Sequence, residues 1–254
     1  MLPTRHELSA HGGEHGVDAH GVCVRHHANV DCAHCKIRPL SLCGALDDDE
    51  LAQLESIARG AHFAQRQAIF SQDERVDAVF NVTVGAARLY RLLPDGRRQV
   101  VGFAIPGDFL GLALAERSVY SVDALTHVEA CRFSRDAFSH FLDSRPTLLR
   151  RLYEMAGHEL SLAQEQMVII GRRTAEERVV CFLVGLRKRW ARINGNSVTI
   201  PLPMTRQDIA DFLGLTIETV SRAISKLARD KALIVVPDGV RLLDPARLEA
   251  IADG

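Results

Sequence analysis

Hydrophobic and polar positions change their rhythm three times along this chain, and each change marks a different kind of element. Behind the acidic run Asp47 to Glu50, apolar residues recur at Leu51, Leu54 and Ile57/Ala58, which predicts a short amphipathic helix with a favourably charged first turn. From Ala68 to Ser134 the rhythm shortens. Residues 76–84, 86–93, 99–105 and 122–133 are β-rich runs, cut by Gly85, Pro94-Asp95-Gly96 and Pro106-Gly107-Asp108. Short strands at this spacing predict a small antiparallel barrel or roll. From Pro146 the period becomes helical. Leu149, Tyr153, Ala156, Leu160, Ala163, Met167 and Ile170 are spaced 4, 3, 4, 3, 4 and 3 residues apart, the seam by which a helix pairs with a copy of itself. A second stripe, Leu148, Leu152 and Met155, would face the β domain.

Arg172 and Arg173 interrupt the seam, and Thr174 can cap a new helix through Val179, Val180, Phe182, Leu183 and Leu186. Gly195 ends it, and Pro203 keeps Leu202 out of helix. In residues 204–227, Thr205 with Asp208 forms a capping-box-like start, and Ile209, Ala210 and Leu213 make an inner face. Gly214 makes a tight turn, Thr216 caps a second helix, and Val220, Ile224 and Leu227 point inward. Glu218, Ser221, Arg222 and Lys226 are left outside. This is a helix-turn-helix with base-reading chemistry: Arg222 suits guanine, Glu218 a cytosine amino group, and Ser221 is short enough to approach a thymine or a phosphate. Lys226 and Arg206 are candidate phosphate contacts. Residues 233–243 add the hairpin of a winged version.

Composition sets the surroundings. The chain has 254 residues, 47% hydrophobic and 25% charged, ordinary for a globular protein with a proper core. It carries no apolar run long enough to span a membrane and no apolar stretch of the secretory kind near its start, so a cytoplasmic location is expected. From Arg172 onward there are 14 Lys and Arg against 10 Asp and Glu, whereas the preceding part has 17 against 22. A basic C-terminal third behind an acidic body is compatible with DNA binding. Four units follow: residues 1–46 as a disordered, His- and Gly-rich arm and a cysteine segment, 47–145 as a β-roll, 146–171 as a dimerisation helix, and 172–254 as a winged helix-turn-helix. The fold class is α+β.

Four of the six cysteines lie in residues 23–43. In a reducing compartment, clustered cysteines are metal-binding or redox-active rather than structural disulfides. Cys32-x2-Cys35-x7-Cys43 has the spacing that lets thiolates converge on a metal ion or an iron–sulfur cluster. A redox enzyme would rest on Cys32 and Cys35 alone, outside any βαβ pattern, and no nucleophile with a base is evident.

In this order of elements, and above all in residues 215–222 with Glu218, Ser221 and Arg222 in an E-x-x-S-R pattern, the chain resembles the Crp/Fnr family of bacterial transcription regulators. It looks most like the Fnr branch, particularly the FnrN/FixK-like group. The resemblance implies a β-roll of the cyclic-nucleotide-binding type and a homodimer on a palindromic operator with half-sites close to TTGAT. RNA polymerase is an implied partner, and genes of low-oxygen metabolism are the implied targets. It also implies an oxygen-labile [4Fe-4S] cluster, with Cys131 as fourth ligand beside Cys32, Cys35 and Cys43. Cys23 is then spare, and Cys181 is most simply a small buried hydrophobe. Zinc is the rival occupant, with Cys131 or His34 completing a tetrahedral site. A cyclic-nucleotide effector is the other alternative: Arg117-Ser118 sits where that branch binds phosphate, but Leu112 stands where an acidic residue would hold the ribose. Where the best-known Fnr pattern has a repulsive acidic residue in the dimer seam, this chain has Ala163, so the cluster-free protein is expected to pair more readily.

Overall fold

The computed structural model describes residues 32–112 and 116–254 in full and, ahead of them, the backbone of two short strands, β1 (His15–Val17) and β2 (Cys23–Arg25). β1 is a strand within the arm expected to be disordered; the rest of that arm lies outside the described residues.

Helix α1 (Asp48–Ile57) starts on a capping box: Asp47 accepts from the Glu50 amide at 2.8 Å, and Glu50 accepts from the Asp47 amide at 3.2 Å. The next residue already begins β3 (Ala58–Phe63), a strand the sequence reading lacks. Its Ala, Arg, Gly and His residues have little intrinsic preference for a strand, and it is held by pairing with β10. The remaining strands are β4 (Ala68–Phe70), β5 (Ala78–Val84), β6 (Ala87–Leu92), β7 (Arg98–Ala104), β8 (Phe109–Leu110), β9 (Ser121–Ala124) and β10 (Val128–Ser134). They form two antiparallel sheets, ordered β1-β2-β3-β10-β5-β8 and β4-β9-β6-β7, around a core that includes Phe63, Val82, Leu110, Val122 and Val128. Residues 122–133, expected as one segment, are split into β9 and β10. The turn is made at long range: the Leu125 amide donates to the Ala86 carbonyl (2.8 Å), and Thr126 Oγ1 accepts from the Ala86 amide (3.0 Å). No local turn residue marks it. Helix α2 (Arg135–Asp143) is a further departure, capped by Ser134 and burying Phe138 and Phe141 where the sequence reading has no helix.

Helix α3 (Pro146–Arg172) runs for 27 residues, with Pro146 in its first turn. Helix α4 (Ala175–Asn194) opens on a Thr174/Glu177 capping box. There follow β11 (Thr199–Pro201), α5 (Arg206–Leu213), α6 (Ile217–Arg229), β12 (Leu233–Val236), β13 (Gly239–Leu242) and α7 (Pro245–Asp253). The sheet β11-β13-β12 is the wing. The winged unit's core holds Val179, Leu183, Ile209, Leu213, Val220 and Leu227, and Val100 and Phe103 of β7 join the same cluster. Phe103, Phe182 and Phe212 meet in a triangle with centroid separations of 5.5 to 6.0 Å, so the roll and the winged unit share apolar surface. Cys181 is a correction: it is only half-buried, its Sγ 3.8 Å from the Ala252 carbonyl, because α7 covers that side of α4 incompletely.

Candidate functional site

The first candidate is a cysteine pocket assembled from separated pieces of chain. Two short 3-10 helices, Arg38–Leu40 and Leu42–Ala45, fold the cysteine segment onto the roll. Gly107, at φ +99°, lets the β7–β8 turn approach: a Cβ there would lie 3.2 Å from Leu40 Cβ. Cys32 and Cys43 are buried, Cys35 is half-buried, and Cys131 rises from the central strand β10 into the same apolar cluster. Burial pushes the Cys131 thiol up to about 12, and the neighbouring Cys32, Cys43 and Cys35 add to the rise. Burial likewise raises Cys43, against the Ser41 hydroxyl. Thiols raised by burial in this way, Cys43 and Cys131, become thiolates readily only when a positively charged centre binds them. No three of their sulfurs lie within 4.8 Å of one another. A tetrahedral zinc site, with Zn–S bonds of about 2.3 Å, brings its sulfurs to about 3.8 Å. Four thiols are a donor set that either a zinc ion or a cluster whose irons each take one thiolate would take. His34, the alternative zinc ligand, is exposed.

Asn81 belongs to this pocket and was missed. It pairs directly with Cys131 across β5 and β10, is 2% exposed, and its Nδ2 lies 4.0 Å from Cys43 Sγ. A buried amide beside a thiol would orient and tune that sulfur if it held a metal centre. Its signal was a lone polar residue at an inward position of an apolar strand.

The floor of the pocket is α3. Leu148 is fully buried with Cys32, Cys43 and Cys131, and Leu152 and Met155 pack against that cluster. The opposite face is bare in the single chain. Tyr153 is 80% and Met167 70% exposed, and Leu149, Ala156, Leu160, Ala163 and Ile170 are exposed as well. The helix thus has one stripe on the cysteines and another awaiting a partner.

The second candidate is the surface of α6. Gly214, left-handed at φ +63°, turns the chain from α5, and Thr216 caps α6 by accepting from the Thr219 amide at 3.2 Å. Val220, Ile224 and Leu227 face inward, while Glu218, Ser221, Arg222 and Lys226 are exposed together. Backbone hydrogen bonding at the helix start, with the Thr216 hydroxyl and Arg222, holds the Glu218 carboxyl below its ordinary range. Two phosphate candidates are less free than expected. Lys226 Nζ donates to Glu176 of α4 at 2.5 Å, and Arg206 is half-buried, its Nη1 without a hydrogen-bond partner.

Between the two candidates lies an ionic junction invisible in the sequence. Asp208 of α5 is buried. Its Oδ1 accepts from Arg88 Nη1 of β6 and Arg98 Nη2 of β7, each at 2.9 Å, and its Oδ2 accepts from Thr205. Arg88 also pairs with Asp123 at 2.9 Å and Arg98 with Asp211 at 3.0 Å. Burial alone would raise the Asp208 pKa, but Thr205 and Arg88 outweigh it and hold the carboxyl below its ordinary value. Where the cyclic-nucleotide branch binds phosphate, Arg117 Nη1 instead donates to the Asp73 carbonyl at 2.6 Å, and Ser118 is buried.

Comparison with known proteins agrees with this geometry. Residues 61–145 match the cyclic nucleotide-binding domain and residues 177–251 the Crp-like helix-turn-helix domain. The chain is 52% identical over 219 residues to the transcriptional activatory protein AadR of Rhodopseudomonas palustris, covering 86% of this chain and 92% of that one. It is 50% identical over 221 residues to the nitrogen fixation regulation protein FixK of Bradyrhizobium diazoefficiens, covering 87% and 93%. The solved structure of FixK2 from Bradyrhizobium japonicum superposes with a TM-score of 0.71 at 33% identity, over 77% of this chain and 97% of that one. These relatives are transcription regulators, not enzymes.

Proposed function

The chain belongs to the Crp/Fnr family as a DNA-binding transcriptional activator, and from that premise we propose that it reports oxygen through a [4Fe-4S] cluster held by Cys32, Cys35, Cys43 and Cys131. As a homodimer it would read a TTGAT-type palindrome at genes of low-oxygen metabolism, with RNA polymerase as its partner in activation. One observation carries this reading: Cys32, Cys43 and Cys131 share one apolar cluster with the inner stripe of α3, and the outer stripe of that helix is exposed.

When bound, the cluster supplies an oxygen-labile cross-link among four thiolates. The rest is done by the chain. Cys32, Cys35 and Cys43 draw the loop onto the roll, and Leu42 and Leu46 join Leu148 in one apolar cluster, fixing how α3 lies. Along Leu149 to Ile170 that helix then meets its copy, which sets the two α6 helices about 34 Å apart, one turn of DNA. Glu218 and Arg222 read the GA step of each half-site, with Ser221 beside them. With Ala163 in the seam, no acidic side chain at that position opposes pairing. Cluster-free protein should therefore sediment as a dimer; a purely monomeric form would overturn this point.

The deciding measurement is anaerobic purification with iron and acid-labile sulfide assays, before and after air. The reading expects both elements together, lost in air along with operator binding. Zinc without sulfide would remove the oxygen-sensing reading and leave the DNA-binding one intact.

A further inference from the structure

We propose that His62, His127 and Glu129 form a site for a divalent transition-metal ion of the zinc class, separate from the four cysteines. Glu129 Oε1 lies 3.4 Å from His127 Nε2 and 4.0 Å from His62 Nδ1, and one donor atom from each of the three residues falls within 4.8 Å of the other two. Two imidazoles and one carboxylate are a donor set that such ions take, at bond lengths of about 2.0–2.2 Å. Those lengths put donors about 3.4 Å apart on a tetrahedron, so small side-chain rotations complete the site.

The backbone builds this arrangement. Glu129 of β10 pairs directly with His62 of β3, which puts both on one face, and His127 ends the turn leading into β10. A register irregularity between Glu129 and Ala130 against β5 marks the local bend. The two rings stack with centroids 6.1 Å apart and planes at 19°. The side chains of His127 and Glu129 are 57% and 42% exposed, so an ion can enter and keep a water ligand.

Neither the DNA-reading surface nor the cysteine pocket uses these residues. Yet Glu129 stands two residues before Cys131 on the same face of β10, about 7 Å along the strand. A metal clasp between β3 and β10 therefore braces the strand that carries Cys131, making metal supply a second input to the same sheet. The site does not depend on whether the cysteines hold a cluster.

The test titrates anaerobic full-length protein with cobalt(II), read by its d–d absorption, with zinc(II) as competitor. One equivalent should bind and be displaced by zinc. His127→Ala and Glu129→Gln should each weaken that binding at least about tenfold, while Cys131→Ser retains it. Because the His127 and Glu129 side chains are 57% and 42% exposed, the metal-free variants should melt as the parent does, and only the parent's Tm should rise with zinc. Equal cobalt binding by the parent and both variants would overturn the site. So would binding lost in Cys131→Ser but kept in His127→Ala, which would assign the ion to the cysteines.

Discussion

The cysteine pocket and α6 are opposite solutions to placing a few functional side chains. The pocket gathers Cys32, Cys35, Cys43, Asn81 and Cys131 from three regions of the chain onto a floor supplied by a fourth, α3. In α6, Glu218, Ser221, Arg222 and Lys226 are carried by a single helix of 13 residues, fixed by its own cap and inward stripe. A site assembled from distant parts fails as a whole, because every ligand closes the same ring. A site written on one helix loses function residue by residue.

The largest expected effect tests the first half of that contrast. Cys131→Ser and Cys43→Ser should each abolish the bound iron and sulfide measured after anaerobic purification, with the folded far-ultraviolet spectrum retained. Either variant holding a full complement would break the view of the pocket as one unit. Next comes the junction joining the two regions. Asp208→Asn leaves Arg88 and Arg98 facing a neutral group in a buried setting, and urea unfolding should show a loss of about 3 kcal/mol. The acid limb sharpens this. A carboxyl lowered in the folded state stabilises above its unfolded value of about 3.9, and that contribution fades as pH falls through the folded value. The variant should lack the Asp208 part of that acid-induced loss; an unchanged limb would relocate it to other carboxylates.

At α6 the effects should be graded. Arg222→Ala should weaken operator binding by about 1–3 kcal/mol, roughly 5- to 150-fold, and chiefly for sequences keeping the guanine. Unchanged operator binding would show the recognition helix to be misassigned. The smallest effect falls to Lys226→Ala, which should weaken all sequences alike and lower the salt-dependence slope by about one. Because Glu176 already holds Lys226, even that slope change should shrink if the ion pair persists on DNA.

Much of this was legible beforehand where the physics is local. Capping by Thr174, Thr205 and Thr216, the turn at Gly214 and the helical run of α3 all rest on contacts within about four residues, and such contacts print themselves as periodicity. The β3 strand and α2 escaped because neighbouring strands and the aromatic cluster around Phe133 and Phe138 hold them, not their own propensities. Lys226 is a candidate phosphate contact on its helix alone; its pairing with Glu176, 50 residues away, is a tertiary contact that periodicity does not carry.

By itself, then, the sequence determined the helix-turn-helix, the two apolar stripes of α3, and three of four clustered cysteines, because each is an arrangement of near neighbours. Only the tertiary structure decided that Cys131 and Asn81 meet those cysteines above the inner stripe of α3. It alone placed Asp208 between two arginines 110 and 120 residues away, and His62 beside Glu129. Contacts at such separations are fixed by sheet register and by which apolar faces pack together, and both are properties of the whole folded chain.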